Sequence, residues 1–357
     1  MAKNILLVDD SALMRRVLCD IINQDSRFHV ADKAVNGKDA LNLLMKNQYD
    51  AVVLDVNMPI MNGLQLLKEL RKHKISARVM MASTDTREGA KVTLDALELG
   101  ALDFIHKPDN AFDCKGNDFK EVFLRTLAVV AESKQIETEN TYGIKNIKET
   151  KKFVEIVRKH ATSVSGNKIV AIASSTGGPR ALQSVIPRLP KELNAPVILV
   201  QHMPAGFTKS LAERLDSLSE VAVKEAEEGD VLENGHVYVA RGGAHLNVVT
   251  ERGQCKIHYT DEPTREGVKP CANYMYESLC DSPYSEVVCV VMTGMGQDGT
   301  VGITNLNAKK KVHVLAQQED TCAVYGMPRA IVRAGLSDQI VGLPDIAQEI
   351  IMNVGVK

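Results

Sequence analysis

What most restricts the fold of this chain is one device used repeatedly: a short apolar run stops at a hydroxyl, acidic or glycine residue, and a helical pattern soon follows. It occurs as NILLVDDS from Asn4, AVVLDV from Ala51, KIVAIASSTGGPR from Lys168 and PVILVQHMP from Pro196. Runs that are apolar at successive positions, rich in Val and Ile, read as buried strands. Buried strands alternating with helices make a parallel sheet flanked by helices. In open sheets of this kind ligands bind beyond the carboxyl ends of the strands. The residues that end each run are therefore the candidates for chemistry.

The pattern predicts two α/β domains, which suits a chain of 357 residues. Residues 1–125 carry five βα units, with strands at Asn4–Val8, His29–Val35, Ala51–Leu54, Arg78–Ala82 and Asp103–Ile105, and a last helix near Phe119–Glu132. This is the pattern of a doubly wound, flavodoxin-like sheet. Residues 126–166, including ESKQIETENTYGIKNIKETKK, are crowded with charge and read as a solvated helix and linker, with one periodic piece at Phe153, Ile156 and Val157. Residues 167–357 form the second α/β unit, in which residues 227–260 read as a β-rich insertion of strands joined by Gly and Asn turns. Trp is absent and aromatics are 4%, so the cores must be built from Val, Ile, Leu, Met and Ala.

Several function classes are disfavoured. Acidic and basic residues nearly cancel, 45 against 43, which gives no basic surface for nucleic acid, and no helix-turn-helix signal is present. Seven cysteines show no CxxC pair and no zinc spacing, as expected of free thiols in a reducing compartment. No segment is apolar for long enough to insert in a membrane, and MAKNILLVDD has no signal-peptide pattern; the expectation is a cytoplasmic protein.

At the ends of the first domain's strands stand Asp9 and Asp10, Asp55, Ser83 and Lys107. Three carboxylates brought to one edge repel unless a cation lies between them, and a hard divalent ion such as Mg2+ suits oxygen ligands. Asp55 is then a carboxylate able to take a phosphoryl group, with Lys107 as a point charge and the Ser83 hydroxyl as a hydrogen-bond partner. LLVDDS, LDVNMPIMNG, MAST and DFIHKP resemble the motifs of response-regulator receiver domains. The resemblance implies that Asp55 accepts phosphate from a histidine kinase. It also implies that Asp9, Asp10, Asp55 and the Asn57 carbonyl hold Mg2+, and that Ser83 and Lys107 are the switch residues. Thr84 adjoins Ser83, which is preferred because it directly follows the apolar run.

In the second half, three strand ends supply Ser174 and Ser175, His202 in QHMP, and Asp298 in GMGQDG. A serine hydroxyl needs an imidazole to take its proton and a carboxylate to orient that imidazole, so these are the three roles of a hydrolytic triad. Small hydroxyl residues before paired glycines also cradle phosphates, and strand periodicity does not separate Ser174 from Ser175. The order Ser, His, Asp and the missing GxSxG argue against an α/β-hydrolase. His245, in GGAHLNV, is a candidate for lining the cleft.

IASSTGGPRAL, VQHMPAGFT, VARGGAHLNV, MTGMGQDG and VYGMPRA resemble the catalytic domain of the chemotaxis protein-glutamate methylesterases, the CheB family, in which a receiver comes first. The resemblance implies that Ser175, directly before ThrGlyGly, is the nucleophile, with His202 and Asp298 completing the triad. It also implies that amides near Thr176 and Met295 bind the oxyanion, with no cofactor in this domain. The implied activity is phosphorylation-controlled demethylation of glutamate methyl esters, and deamidation of glutamines, on methyl-accepting chemoreceptors. Departures occur at Arg241, where a proline is usual, at Cys271, Ala272 and Asn273, where SerValAsp is commoner, and in LNAKKKVHV, which lacks the common glycines. The first two are expected to alter the cleft rim. The competing readings are a receiver-regulated esterase or amidase for a small molecule, and a non-enzymatic binding domain.

Overall fold

The computed structural model describes residues 2–84, 87–108, 110, 113–133 and 167–357, and the chain divides into two compact units, Met1–Asn140 and Thr141–Lys357. The first unit runs β1 (Lys3–Val8), α1 (Ala12–Gln24), β2 (Phe28–Ala34), α2 (Gly37–Leu44), β3 (Ala51–Asp55), α3 (Gly63–Lys72), β4 (Val79–Thr84), α4 (Arg87–Glu98), β5 (Asp103–Lys107) and α5 (Asn117–Glu132). Its five strands pair in parallel in the order β2-β1-β3-β4-β5. Helix starts follow local chemistry: the Ser11 hydroxyl accepts from the Met14 amide, and Asn62 with Gln65 forms a capping box ahead of α3.

The last helix, expected near Phe119–Glu132, is α5 at Asn117–Glu132. Helix α5 continues to Glu132, and Phe123, Leu127 and Val130 are fully buried along it. Their spacing lays an apolar stripe on the sheet. Phe153, Ile156 and Val157 lie outside the described residues.

In the second unit come β6 (Lys168–Ser174), α6 (Gly178–Val185), β7 (Val197–Gln201), α7 (Phe207–Leu218), β8 (Ala222–Glu225), β9 (His236–Val239), β10 (His245–Glu251) and β11 (Gln254–Thr260). They are followed by α8 (Ala272–Ser278), β12 (Glu286–Val291), α9 (Thr300–Asn307), β13 (Lys311–Gln317), α10 (Met327–Arg333), β14 (Gln339–Val341) and α11 (Ile346–Val354). Seven strands form a parallel sheet in the order β14-β13-β12-β6-β7-β9-β8, and β10 with β11 makes a separate antiparallel hairpin. The β-rich insertion is thus smaller than its sequence span: β9 belongs to the main sheet, because Val237, Tyr238 and Val239 are buried and the strand pairs with both β7 and β8.

Alternate residues of the central strands face two layers. Ile169, Ala171 and Ala173 of β6 and Val287, Cys289 and Val291 of β12 pack with the hairpin's Leu246, Val248 and Ile257 and with Met275 and Tyr276 of α8. The intervening Val170, Ile172, Val288 and Val290 are equally buried, and α11 packs against β6 and β12. Strand order reverses between β1 and β3 in the first sheet and between β6 and β12 in the second, so each sheet opens a crevice there beyond its carboxyl edge. Among the described residues no helix is long and apolar enough to cross a membrane.

At the opposite edge of the second sheet Glu286 stands in register with Lys168 on one neighbour and Lys311 on the other. Its Oε2 lies 2.9 Å and 3.1 Å from the two ammonium nitrogens. Burial works to raise the Glu286 carboxyl, but the two lysines overcome it and hold the group below its ordinary value of 4.5. A carboxyl depressed in the folded state stabilises fully above its unfolded value and loses that contribution as pH falls through the folded one. Glu286→Gln is therefore expected to cost about 2–3 kcal/mol at pH 7, a gap that closes as the pH is lowered below 4.5. Denaturant unfolding of both proteins at pH 7 and pH 4 measures it.

Candidate active site

β6 is buried up to Ser174, and at its end the two serines have different surroundings. Ser174 is fully buried and its hydroxyl donates to Gln201 Oε1 at 2.7 Å. Ser175 is partly exposed at the carboxyl edge. The Ser175 amide is engaged, donating to Thr293 O at 3.0 Å across the crevice between β6 and β12. Of the two candidates, only Ser175 stands at the edge with its side chain reachable from solvent.

Close approach of backbone makes this possible. A Cβ on Gly178 would land on the Gln201 amide, and one on Gly294 would come within 2.7 Å of the Ser175 Cβ. Gln201, at the end of β7, donates from Nε2 to Ser175 O at 2.9 Å and His202 O at 3.2 Å, and the His202 amide donates to Ser174 O at 3.1 Å. Gln317, at the end of β13, accepts from the Thr293 amide at 2.8 Å and donates to Thr321 O at 2.8 Å. Both glutamines are buried, and sequence reasoning missed them. The available signal was an amide ending an otherwise apolar strand, VILVQ and VLAQ.

His202 and Asp298 meet: Nε2 lies 2.8 Å from Oδ2, with both side chains nearly buried. Asp298 is a densely hydrogen-bonded carboxylate. Oδ1 accepts from the Cys271 thiol at 3.0 Å and the Asn273 amide at 2.9 Å, and Oδ2 accepts from the Ala272 amide at 2.6 Å. Burial would raise this carboxyl, yet His202, Cys271 and the Ala272 amide outweigh burial and hold it below its ordinary value. An ionised carboxylate has no proton to give, so His202 Nε2 carries the hydrogen. Nδ1 is then the basic nitrogen.

Residues expected at the cleft rim behave otherwise. Cys271, Ala272 and Asn273 are fully buried at the start of α8, where they supply donors to Asp298. Asn273 also accepts from the Gly299 and Gly302 amides, tying α8 to α9. His245 does not line the cleft: it is fully buried and its Nδ1 accepts from the Cys271 amide at 3.2 Å. Burial, with Lys269 nearby, lowers its proton affinity and favours the neutral ring. Arg241 is exposed, its guanidinium 4.6 Å from the centre of the Tyr259 ring. Thr176 is buried just past Ser175, and Met295 follows Gly294, whose backbone lies against Ser175.

The first unit's crevice is acidic. Carboxylate oxygens of Asp9, Asp10 and Asp55 lie within 4.8 Å of one another, with Asp9 and Asp55 buried and Asp10 exposed. Lys107 Nζ sits 2.9 Å from Asp9 and 2.7 Å from Asp55. Burial opposes the Lys107 charge, but the two carboxylates overcome it and hold its affinity for the proton above the ordinary value, while burial raises Asp55. Three carboxylates against one ammonium leave a negative excess, and this donor set could hold a divalent cation. Ser83 is buried, one residue beyond the Ala82 that pairs with Asp55.

The sequence profile described as CheB methylesterase matches residues 170–350, and that of the response regulator receiver domain matches residues 5–113. The chain is 40% identical over 354 residues to protein-glutamate methylesterase/protein-glutamine glutaminase 1 of Syntrophomonas wolfei, covering 98% of each chain. It is 39% identical over 348 residues to the protein-glutamate methylesterase/protein-glutamine glutaminase of Bacillus subtilis, covering 97% of each. The crystal structure of the Thermotoga maritima CheB methylesterase catalytic domain superposes with a TM-score of 0.51 at 40% identity, covering 52% of this chain and 98% of that one. A receiver followed by this catalytic domain, matched in sequence over nearly the whole chain, places the chain in the protein-glutamate methylesterase/protein-glutamine glutaminase family.

Proposed function

We propose that Ser175, His202 and Asp298 act as the hydrolytic triad of a chemoreceptor-demethylating enzyme. The observation that carries this reading is the His202–Asp298 pair, 2.8 Å apart beside the end of the strand that bears the partly exposed Ser175. Ser175 Oγ attacks the carbonyl of a glutamate methyl ester while its proton passes to His202 Nδ1. The resulting oxyanion is held by amides at Thr176 and Met295; the Ser175 amide, being engaged with Thr293, is not needed for this. Collapse expels methanol, which takes the proton from His202. Water, deprotonated by the same nitrogen, then releases the glutamate and restores Ser175. With a glutamine substrate the leaving group is ammonia and the remaining steps are identical. The substrates are glutamates and glutamines of methyl-accepting chemoreceptors. Ser175→Ala is expected to lower methanol release from methylated receptors by about 10³-fold or more, since triad members act as a unit. Release at the wild-type rate would reject the triad.

Asp55 is the phosphoryl acceptor in this reading, supplied by a histidine kinase, and the receiver controls the esterase through it. Asp9, Asp10, Asp55 and the Asn57 carbonyl would hold Mg2+, which when bound neutralises charge on the phosphoryl oxygens. Lys107, already held by Asp9 and Asp55, adds a fixed positive charge, and Ser83 offers a hydroxyl to the new group. Acetyl phosphate with Mg2+ is expected to raise esterase activity of the wild type several-fold and to leave Asp55→Asn unchanged. Chelation of the metal is expected to abolish the rise without lowering the basal rate.

A further inference from the structure

Asp298 takes its hydrogen bonds from the His202 imidazole, two amides at the start of α8 and the Cys271 thiol. Only the last is a side chain that a single substitution can strengthen or delete while leaving the other donors in place. Sγ lies 3.0 Å from Oδ1, and the residue is fully buried. The thiol's direction as donor is fixed, because burial and the adjacent Asp298 charge push its pKa up to about 12. Its backbone is fixed too: the Cys271 amide donates to His245 Nδ1.

We propose that Cys271 is a positioning residue that sets the basicity of the Asp298 carboxylate, and through it the pH at which His202 becomes a competent base. An S–H group is a weak donor, so it withdraws less charge from Oδ1 than a hydroxyl would. A less stabilised carboxylate accepts more strongly from His202 Nε2–H and favours the imidazolium. Sulfur at this position thus trades activity on the acid side for a stronger base. The other titratable groups facing the cluster include His245 on β10, Tyr276 in α8, and Arg265, Lys269 and Glu262 in the segment between β11 and α8. A change confined to the Cys271 side-chain donor leaves all five in place.

The proposal rests on the triad reading, and the test separates the two. Rate profiles of kcat/KM for methanol release are measured for the full chain, Cys271→Ser and Cys271→Ala. With the stronger donor the acid limb is expected to move to lower pH, and with the donor deleted to higher pH, by about half a unit each. A structural role alone would lower the rate without moving the limb in opposite directions. The proton in the His202–Asp298 hydrogen bond, followed by NMR in protein carrying Ser175→Ala, gives a readout independent of turnover. It is expected upfield in Cys271→Ser and downfield in Cys271→Ala. Limbs that coincide with wild type, or that move the same way in both variants, overturn the proposal. Should Cys271→Ala fail to fold, the Cys271→Ser shift decides alone, because its sign is specified. Undiminished turnover by Ser175→Ala would reject the triad instead, leaving the proton shifts to report on Cys271.

Discussion

A carboxylate taken out of water keeps its charge only when its lone pairs are met by donors, and the second unit is organised around that demand at Asp298. Isolated burial of such a group costs several kcal/mol. Here the donors come from separate parts of the chain: the imidazole beyond β7, and the thiol and amides that open α8. Satisfying them fixes how the layer made by the β10–β11 hairpin and α8 docks on the face of the parallel sheet. His245, lying under Cys271, and Asn273, reaching to α9, extend the same constraint outward. The orientation of His202 is thus a property of the whole layer.

The two units solve the same topological problem with opposite chemistry. Each opens a crevice where strand order reverses, and each fills it with residues that end buried strands. Between β1 and β3 the fill is an excess of carboxylates held against Lys107, an arrangement suited to a cation and a phosphoryl group. Between β6 and β12 it is a hydroxyl with backbone packed close behind it, suited to an electrophilic carbonyl.

Much of this was legible in the sequence because strand ends carry the chemistry and apolar runs mark the strands. Asp9, Asp10, Asp55, Lys107 and His202 stand where the runs stop, and Asp298 lies in the loop seven residues beyond the end of β12. The choice of Ser175 over Ser174 was not legible from periodicity; it depends on Gln201, a residue of a neighbouring strand that occupies the Ser174 hydroxyl. The roles of Cys271 and His245 were hidden for a similar reason. Both sit in loop-like sequence that resembles a surface rim, and only the docking of the hairpin against the sheet makes them interior. The short β14, three residues long, carries too little pattern to announce itself.

The amide of Gln201 receives a bond from Ser174 at one end and gives bonds to the carbonyls of Ser175 and His202 at the other. That makes the position chemically polar in a directional sense: it requires an acceptor pointing one way and a donor pointing the other. Glutamate, identical in shape, would set like against like at two carbonyls. The segments that carry Ser175 and His202 are therefore mounted on a single bracket, so drift elsewhere in the sheet moves them in concert and leaves their spacing intact.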